Sequence, residues 1–371
     1  MMPASHTTQS RRPRMSGRAL SKFVALLMCA CAPLALSSCI VKSGRGEQSR
    51  SLNVEVTCPV SPDTSVNGQI RIGYQQIPNG DLVVKDADML SKCMPNAKIT
   101  WTQFSSGADV VRAFGSGSLD LGLYGSAPAA KSLSAPLNLD VNVVWIQDVI
   151  GGAESLAVRD PAIKTIDQLR GKKIGVPFGS TSHLSLMSAL EKAGLTKDVT
   201  VINLEPSAIL GAWQGGQIDA AWIWEPTLSE LTTSGHIIMT AEDTANAGSP
   251  TFDLEGARGA FVRDNPAAMK MWTVAQNWAV DLIKNHRDDA VGRIAGQLGV
   301  DAAQVRTQLD GYIYLTAKEQ AEPKWFGGGL ATDLRNTATF LLNQGEVDAV
   351  SSPQTYVNAV YGTSIREVAQ P

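Results

Sequence analysis

The strongest constraint on this chain is that one of its segments occurs twice. Ala113-Phe114-Gly115-Ser116-Gly117-Ser118-Leu119-Asp120-Leu121 is echoed by Ala212-Trp213-Gln214-Gly215-Gly216-Gln217-Ile218-Asp219-Ala220. In each copy a helical pattern ends at glycine, a strand opens on an apolar residue followed by Asp, and a proline, Pro128 or Pro226, comes shortly after the strand. Two such copies imply two lobes of similar construction, each bringing the C-terminal end of a strand and the start of a helix to one place. In open α/β sheets that place is the ligand crevice. Chance reuse of a common helix-Gly-strand connection is the competing reading, and a fainter third echo at residues 345–350 keeps it open.

The rest of the body agrees with an α/β fold, since short apolar runs alternate with helical patterns from Gly68 onward. Residues 70–74, 119–124 and 173–176 read as strands, 108–114 and 182–193 as helices, the last ended by Gly194. Crossovers near Ser155 and Leu254 make residues 155–254 a second lobe, inserted in a first built from 68–154 and 255–371.

Composition narrows the class. With 44% apolar residues and a mean hydropathy of -0.03, the chain can bury large cores but is not a polytopic membrane protein. A net charge of -3 and a pI near 5.9 offer no general attraction to phosphates, so nucleic acid is excluded as an expected partner.

The one long apolar run, residues 23–36, follows Arg18 and Lys22, is broken by Pro33 and closes in Leu36-Ser37-Ser38-Cys39. Residues 1–38 therefore read as a lipoprotein signal peptide and Cys39 as the lipid-attachment site. Two acyl chains hold a protein on a membrane where one does not. An uncleaved transmembrane anchor is the competing reading, weakened by the short, proline-broken run. Met15 offers an alternative start, because it opens a complete leader, and Ser10-Arg11-Arg12 is a weak twin-arginine signal. Residues 39–67 follow as tether and N-terminal extension, with Ser, Gly and charge concentrated in 41–51. With Cys39 lipidated, Cys58 and Cys93 remain in an oxidising compartment and are expected to pair, two free buried thiols being the alternative.

The segments that could bind something lie at the ends of the repeated units. Tyr124-Gly125-Ser126-Ala127-Pro128 turns a strand into a helix, with a glycine that admits a close approach and a hydroxyl at the helix start. Pro177-Phe178-Gly179-Ser180-Thr181-Ser182-His183 repeats this chemistry. Singly, each is an ordinary N-cap. Facing each other, they form a neutral cradle for an oxyanion. Glu154, Glu225 and Asp253 stand nearby and suit an ammonium, or are simply solvated; Tyr124, Phe178, Trp222 and Trp224 supply walls, or core.

Several of these segments resemble the taurine-binding proteins of the sulfonate/nitrate/taurine class of ABC importers. The resemblance is carried over residues 68–362 by Gly73-Tyr74-Gln75, Phe104-Ser105-Ser106-Gly107-Ala108, Gly125-Ser126-Ala127-Pro128, Val176-Pro177-Phe178-Gly179-Ser180-Thr181-Ser182-His183, Val201-Ile202-Asn203-Leu204, Ala212-Trp213-Gln214 and Tyr314-Leu315-Thr316. It implies a bilobal periplasmic-binding fold of the second topological type, two α/β lobes joined by a two-strand hinge, with the ligand enclosed between them. It also implies roles. Ser126 and Thr181 with their neighbours, including Gly125, Ala127, Ser180, Ser182 and His183, would hold a sulfonate. Glu154 and Asp253 would take the amine, while Tyr74, Gln75, Tyr124 and Trp224 line the cleft. Ala127 stands where a second serine is common, and Glu225 where a small residue occurs. The implied partners are taurine or a related sulfonate, an ABC permease with its ATPase, and the membrane through the Cys39 lipid, the chain itself being a monomer.

Other functions fit less well. A receptor for an alkanesulfonate, nitrate or a thiamine pyrimidine stays open within the binding class. A hydrolase using Ser182 and His183 is a remote alternative, since the body has no Gly-x-Ser-x-Gly elbow, Walker loop or Cys-x-x-Cys pair. Only His183, His236 and His286 follow the leader, so neither a metal site nor a cofactor is expected.

Overall fold

The apolar runs form strands that assemble into two sheets, seen in a computed structural model that describes residues 56–370. The signal peptide, Met15, Cys39 and the tether up to residue 55 lie outside the described residues. β1 (Asn67–Tyr74), β2 (Asn96–Gln103), β3 (Leu121–Gly125) and β4 (Val141–Ile150) come first. They are followed by β5 (Glu154–Val158), β6 (Lys173–Val176), β7 (Thr200–Asn203), β8 (Ala220–Trp224) and β9 (His236–Thr240), then by β10 (Phe252–Arg258) and β11 (Tyr312–Ile313).

The first sheet runs β2-β1-β3-β10-β4-β11 and the second β7-β6-β8-β5-β9. Apart from β11 the two are the same sheet built twice. β1 is parallel to β2 and β3, as β6 is to β7 and β8; β10 is antiparallel to β3 and β4, as β5 is to β8 and β9. The first lobe thus takes β10 and β11 from beyond the second crossover, whereas the second lobe is built from the contiguous strands β5 to β9. The crossovers read at Ser155 and Leu254 fall just inside β5 and β10, a few residues after the breaks at Gly151-Gly152 and Gly248-Ser249-Pro250 that precede these strands.

The repeated segment supplies the reason for the match. The Asp120 amide donates to the Arg71 carbonyl at 2.9 Å and the Asp120 carboxylate accepts from the Arg71 amide at 2.9 Å. Asp219 makes the same pair with Lys173, at 2.8 and 2.9 Å. Leu119 lies over Gly73 and Ile218 over Gly175, where a Cβ would meet them at 2.8 and 3.0 Å. The third echo forms no such unit: residues 345–350 follow the helix Gly329–Asn343 and make only an isolated bridge, Ala349 to Ala135.

The first lobe carries one continuous apolar core, while the second packs apolar clusters on both faces of its sheet. Cys58 and Cys93 are bonded to each other, S–S 1.99 Å, tying the segment before β1 to the helix Met89–Cys93.

Candidate functional site

The equivalent strand ends of the two sheets meet around a narrow cavity of about 20 Å³. That is room for about one water, far less than the roughly 300 to 1,000 Å³ of occupied small-molecule sites. Gln75, Ile77, Gly107, Gly125 and Pro128 line it from one side, Glu154, Ser180, Thr181 and Trp224 from the other, with Asp253 from β10.

The wall from the second lobe is the start of the helix Thr181–Lys192. Ser180 caps it: its Oγ accepts from the His183 amide at 3.1 Å and donates to the Pro177 carbonyl at 2.6 Å. The amides of Thr181 and Ser182 belong to the first turn, which has no carbonyl to serve it. Together with the positive end of the helix dipole they favour an anion. The helix start also touches the first lobe. A Cβ on Gly125 would lie 2.5 Å from Thr181 Cγ2, so only glycine admits this contact.

The opposite chemistry stands beside it. Asp253, the second residue of β10, lies opposite Gly125, and Glu154 opens β5 opposite Trp224, so each acid pairs with the last residue of the equivalent central strand. Both are buried. Glu154 Oε2 accepts from Thr181 Oγ1 at 2.6 Å. Burial pushes its carboxyl up to about 8, an effect the Thr181 and Ser182 hydroxyls oppose and the Asp253 charge reinforces. Burial pushes Asp253 up to about 7. Asp148, directly across from Asp253 on β4, is wholly buried, and desolvation with the charges of Asp253 and Glu154 raises it well above the usual carboxylate range. Among the described residues, none of these acids forms an ion pair. Neither Asp148 oxygen nor Glu154 Oε1 has a hydrogen-bond partner.

Of the residues expected from sequence, the structure brings Gln75, Gly125, Glu154, Ser180, Thr181, Trp224 and Asp253 to the cavity. Gln75 is held by its Nε2, which donates to the Leu123 carbonyl at 3.0 Å. The others stand off the wall. Tyr74 meets Trp101 edge-on at 6.1 Å and lies under the Lys85 ammonium. Tyr124 is a core residue packed against Phe114 at 5.8 Å. Ser126 Oγ accepts from the Phe252 amide at 3.2 Å, tying β10 to the turn after β3, and Ala127 is buried behind it. His183 stacks on Phe178 with ring centroids 4.5 Å apart and its Nδ1 accepts from the Gly179 amide; Ser182 is buried, its Oγ without a hydrogen-bond partner, and is not part of the cavity wall.

Two further expectations are corrected. Trp222 lies in the core of the second lobe. Glu225 is not a free cleft carboxylate, because its Oε2 accepts from the Ser229 amide, the Ser229 hydroxyl and Gln308 Nε2, at 3.0, 2.6 and 3.1 Å. Sequence reasoning missed Ile77, Gly107, Pro128 and Asp148 as site-forming residues. Asp148 had a signal: it is the only charge in the ten-residue strand Val141–Ile150.

Residues 68–283 match the family model described as OpuAC, the substrate binding domain of ABC-type glycine betaine transport system. The chain belongs to this family. It is a binding protein of the ABC-importer class, not an enzyme. The taurine-binding periplasmic protein of Escherichia coli (strain K12) is 32% identical to it over 279 residues, 72% of this chain and 85% of that protein. A putative aliphatic sulfonates-binding protein of the same organism is 30% identical over 243 residues, 65% of this chain and 75% of that one. Among solved structures, the alkanesulfonate-binding protein from Xanthomonas axonopodis pv. citri bound to MOPS superposes with a TM-score of 0.66 at 24% identity, covering 81% of this chain and 99% of that one. The periplasmic nitrate-binding protein from Synechocystis PCC 6803 gives 0.66 at 14% identity, covering 84% and 89%. At such identities the structures speak for the bilobal fold alone.

Proposed function

We propose that this binding protein captures a small aminosulfonate, taurine in the first place, and delivers it to an ABC permease and its ATPase. The observation that carries the reading is the pairing of opposites across one small cavity: an anion-favouring helix start at Ser180 and Thr181, beside the buried acids Glu154 and Asp253. A zwitterion of short reach satisfies both. Nitrate would leave the acids without a partner. Glycine betaine carries a quaternary ammonium with no N–H to donate, and such groups are held by aromatic cages. Trp224 is the one aromatic side chain lining the cavity among the described residues. The periplasmic, sulfonate-binding names of the relatives support the same reading.

Taurine, ethanesulfonate and glycine betaine, compared by thermal shift and calorimetry, test it. A ligand held between the lobes stabilises the native state by about 2.7 kcal/mol at a hundredfold excess over its Kd. Taurine is expected to raise Tm most. A shift with glycine betaine and none with taurine overturns the assignment. We further infer that export ends in anchoring at Cys39, supported by the Leu36-Ser37-Ser38-Cys39 sequence after the apolar run. Cys39→Ala is expected to abolish palmitate labelling and leave the leader uncleaved; unchanged labelling and mature mass refute it.

A further inference from the structure

We propose that Asp148 is the third acid of the amine end of the cleft, a positioning residue that acts through Asp253, holding a proton while the cleft is empty and giving it up when an ammonium arrives. The inference rests on the reading of Glu154 and Asp253 as an ammonium site. Asp148 pairs with Asp253 across β4 and β10, and opposed residues of neighbouring strands project to the same face with Cβ atoms about 4.5 to 5.5 Å apart. Both oxygens of Asp148 are buried without a partner, and so is the hydroxyl of Tyr312, in the strand β11 that flanks β4. These unsatisfied groups surround the acids from a third side.

The charged and titratable groups facing Asp148 are Asp253 on β10, Glu154 on β5, Tyr312 on β11 and Tyr314 just after it. Tyr314 is already committed, donating to the Pro78 carbonyl at 2.6 Å. Arg287, which faces Tyr314, is paired with Asp310. No ion pair neutralises the acids among the described residues. Like charges in a buried space are not all ionised at once, so at neutral pH the empty cleft keeps at least one proton among them. Burial raises all three carboxyls, and the charges of neighbouring acids add to this at Asp148 and Glu154, which agrees. An ammonium against Asp253 and Glu154 supplies the missing positive charge. The balance is one ligand ammonium taken up, one carboxyl proton released to solvent, and no covalent change. Because the acids are protonated below their raised pKa and ionised above it, binding weakens as pH falls and strengthens as pH rises toward about 8.

Calorimetry of taurine with the full-length protein, wild type and Asp148→Asn, in two buffers of different ionisation enthalpy from pH 6 to 8, tests this. Wild type is expected to release a large fraction of a proton near pH 7, and where release reaches one proton its affinity rises about tenfold per pH unit. In Asp148→Asn the release is expected to fall by half or more, with a flatter pH profile, while ethanesulfonate releases none from either protein. Equal release by both proteins overturns the role of Asp148. If the variant does not fold, wild type still decides: taurine heats that are independent of the buffer near pH 7 overturn the proposal. Absence of any taurine heat instead overturns the ammonium reading beneath it, and the two failures are told apart by that signal.

Discussion

Glu154 and Asp253 hold the same place in the two halves of the molecule, each the residue opposite the end of a central strand. Their chemistry is nevertheless unequal, because Glu154 shares a hydrogen bond with Thr181 and Asp253 faces Asp148. If both read an amine, Asp253→Asn and Glu154→Gln each cost taurine roughly 2 to 5 kcal/mol, as for a desolvated charge pair missing a partner. Ethanesulfonate, which leaves the acids unpaired, is expected to lose little or to gain. Thr181→Ala weakens both ligands. Titration calorimetry of the two ligands against the three variants separates these outcomes, and equal losses for both ligands in the acid variants would show that the acids act through the fold. Glu154 and Asp253 were singled out in the sequence by the family resemblance; residue type and neighbourhood alone did not separate them from Glu225, which the structure commits to Ser229 and Gln308. The aromatic walls were not legible. Every residue of β3 is buried, so no alternation distinguishes the cleft side from the core side, and Tyr124 falls on the core side.

At the scale of elements, the repeated helix-Gly-strand unit was legible because its hydrogen-bonding residue, Asp120 or Asp219, is the same in both copies. Each Asp binds the amide of the parallel neighbour, so the side chain fixes register where the strand begins. The copies differ in load. Asp120 is buried and receives Arg71 and Arg258 as well, whereas Asp219 is more open. Asp120→Ala is therefore expected to cost about 2 to 3 kcal/mol and Asp219→Ala about 1, read from urea unfolding. The contribution of the Cys58–Cys93 bond is of similar size. Closing its 35-residue separation is worth about 3 to 4 kcal/mol in the loop-entropy account. Cys58→Ser with Cys93→Ala should lower the urea midpoint accordingly and make it insensitive to reductant. The crossovers were less legible, since a Gly-Gly or Gly-Ser-Pro break marks the end of an element without telling that the next strand joins the other sheet.

The molecule as a whole works by bringing two copies of one sheet together, and at the cavity the lobes touch at Gly125. Its backbone, φ -75 and ψ 167, is open to any residue, so glycine is not needed for conformation. It is needed for contact: the three atoms nearest to an added Cβ all belong to Thr181 of the other lobe, and Cγ2 is the nearest at 2.5 Å. A methyl at this position leaves the first lobe undisturbed and obstructs only closure. Gly125→Ala is accordingly expected to change the unfolding free energy of the ligand-free protein by less than about 1 kcal/mol. Taurine affinity should drop about tenfold or more, since 1.4 kcal/mol of lost closing energy is a factor of ten. The clash is with the Thr181 methyl rather than its hydroxyl, which donates to Glu154. Thr181→Ser removes the methyl and keeps that donor, so the double variant Gly125→Ala, Thr181→Ser should recover much of the lost affinity. Calorimetry on the four members of this cycle, with melting curves of each unliganded protein, reads both quantities. Recovery in the double variant ties ligand capture to the approach of the two lobes at this contact. Additive losses, or a ligand-free Tm that falls in step with affinity, would mean that Gly125 serves the first lobe alone.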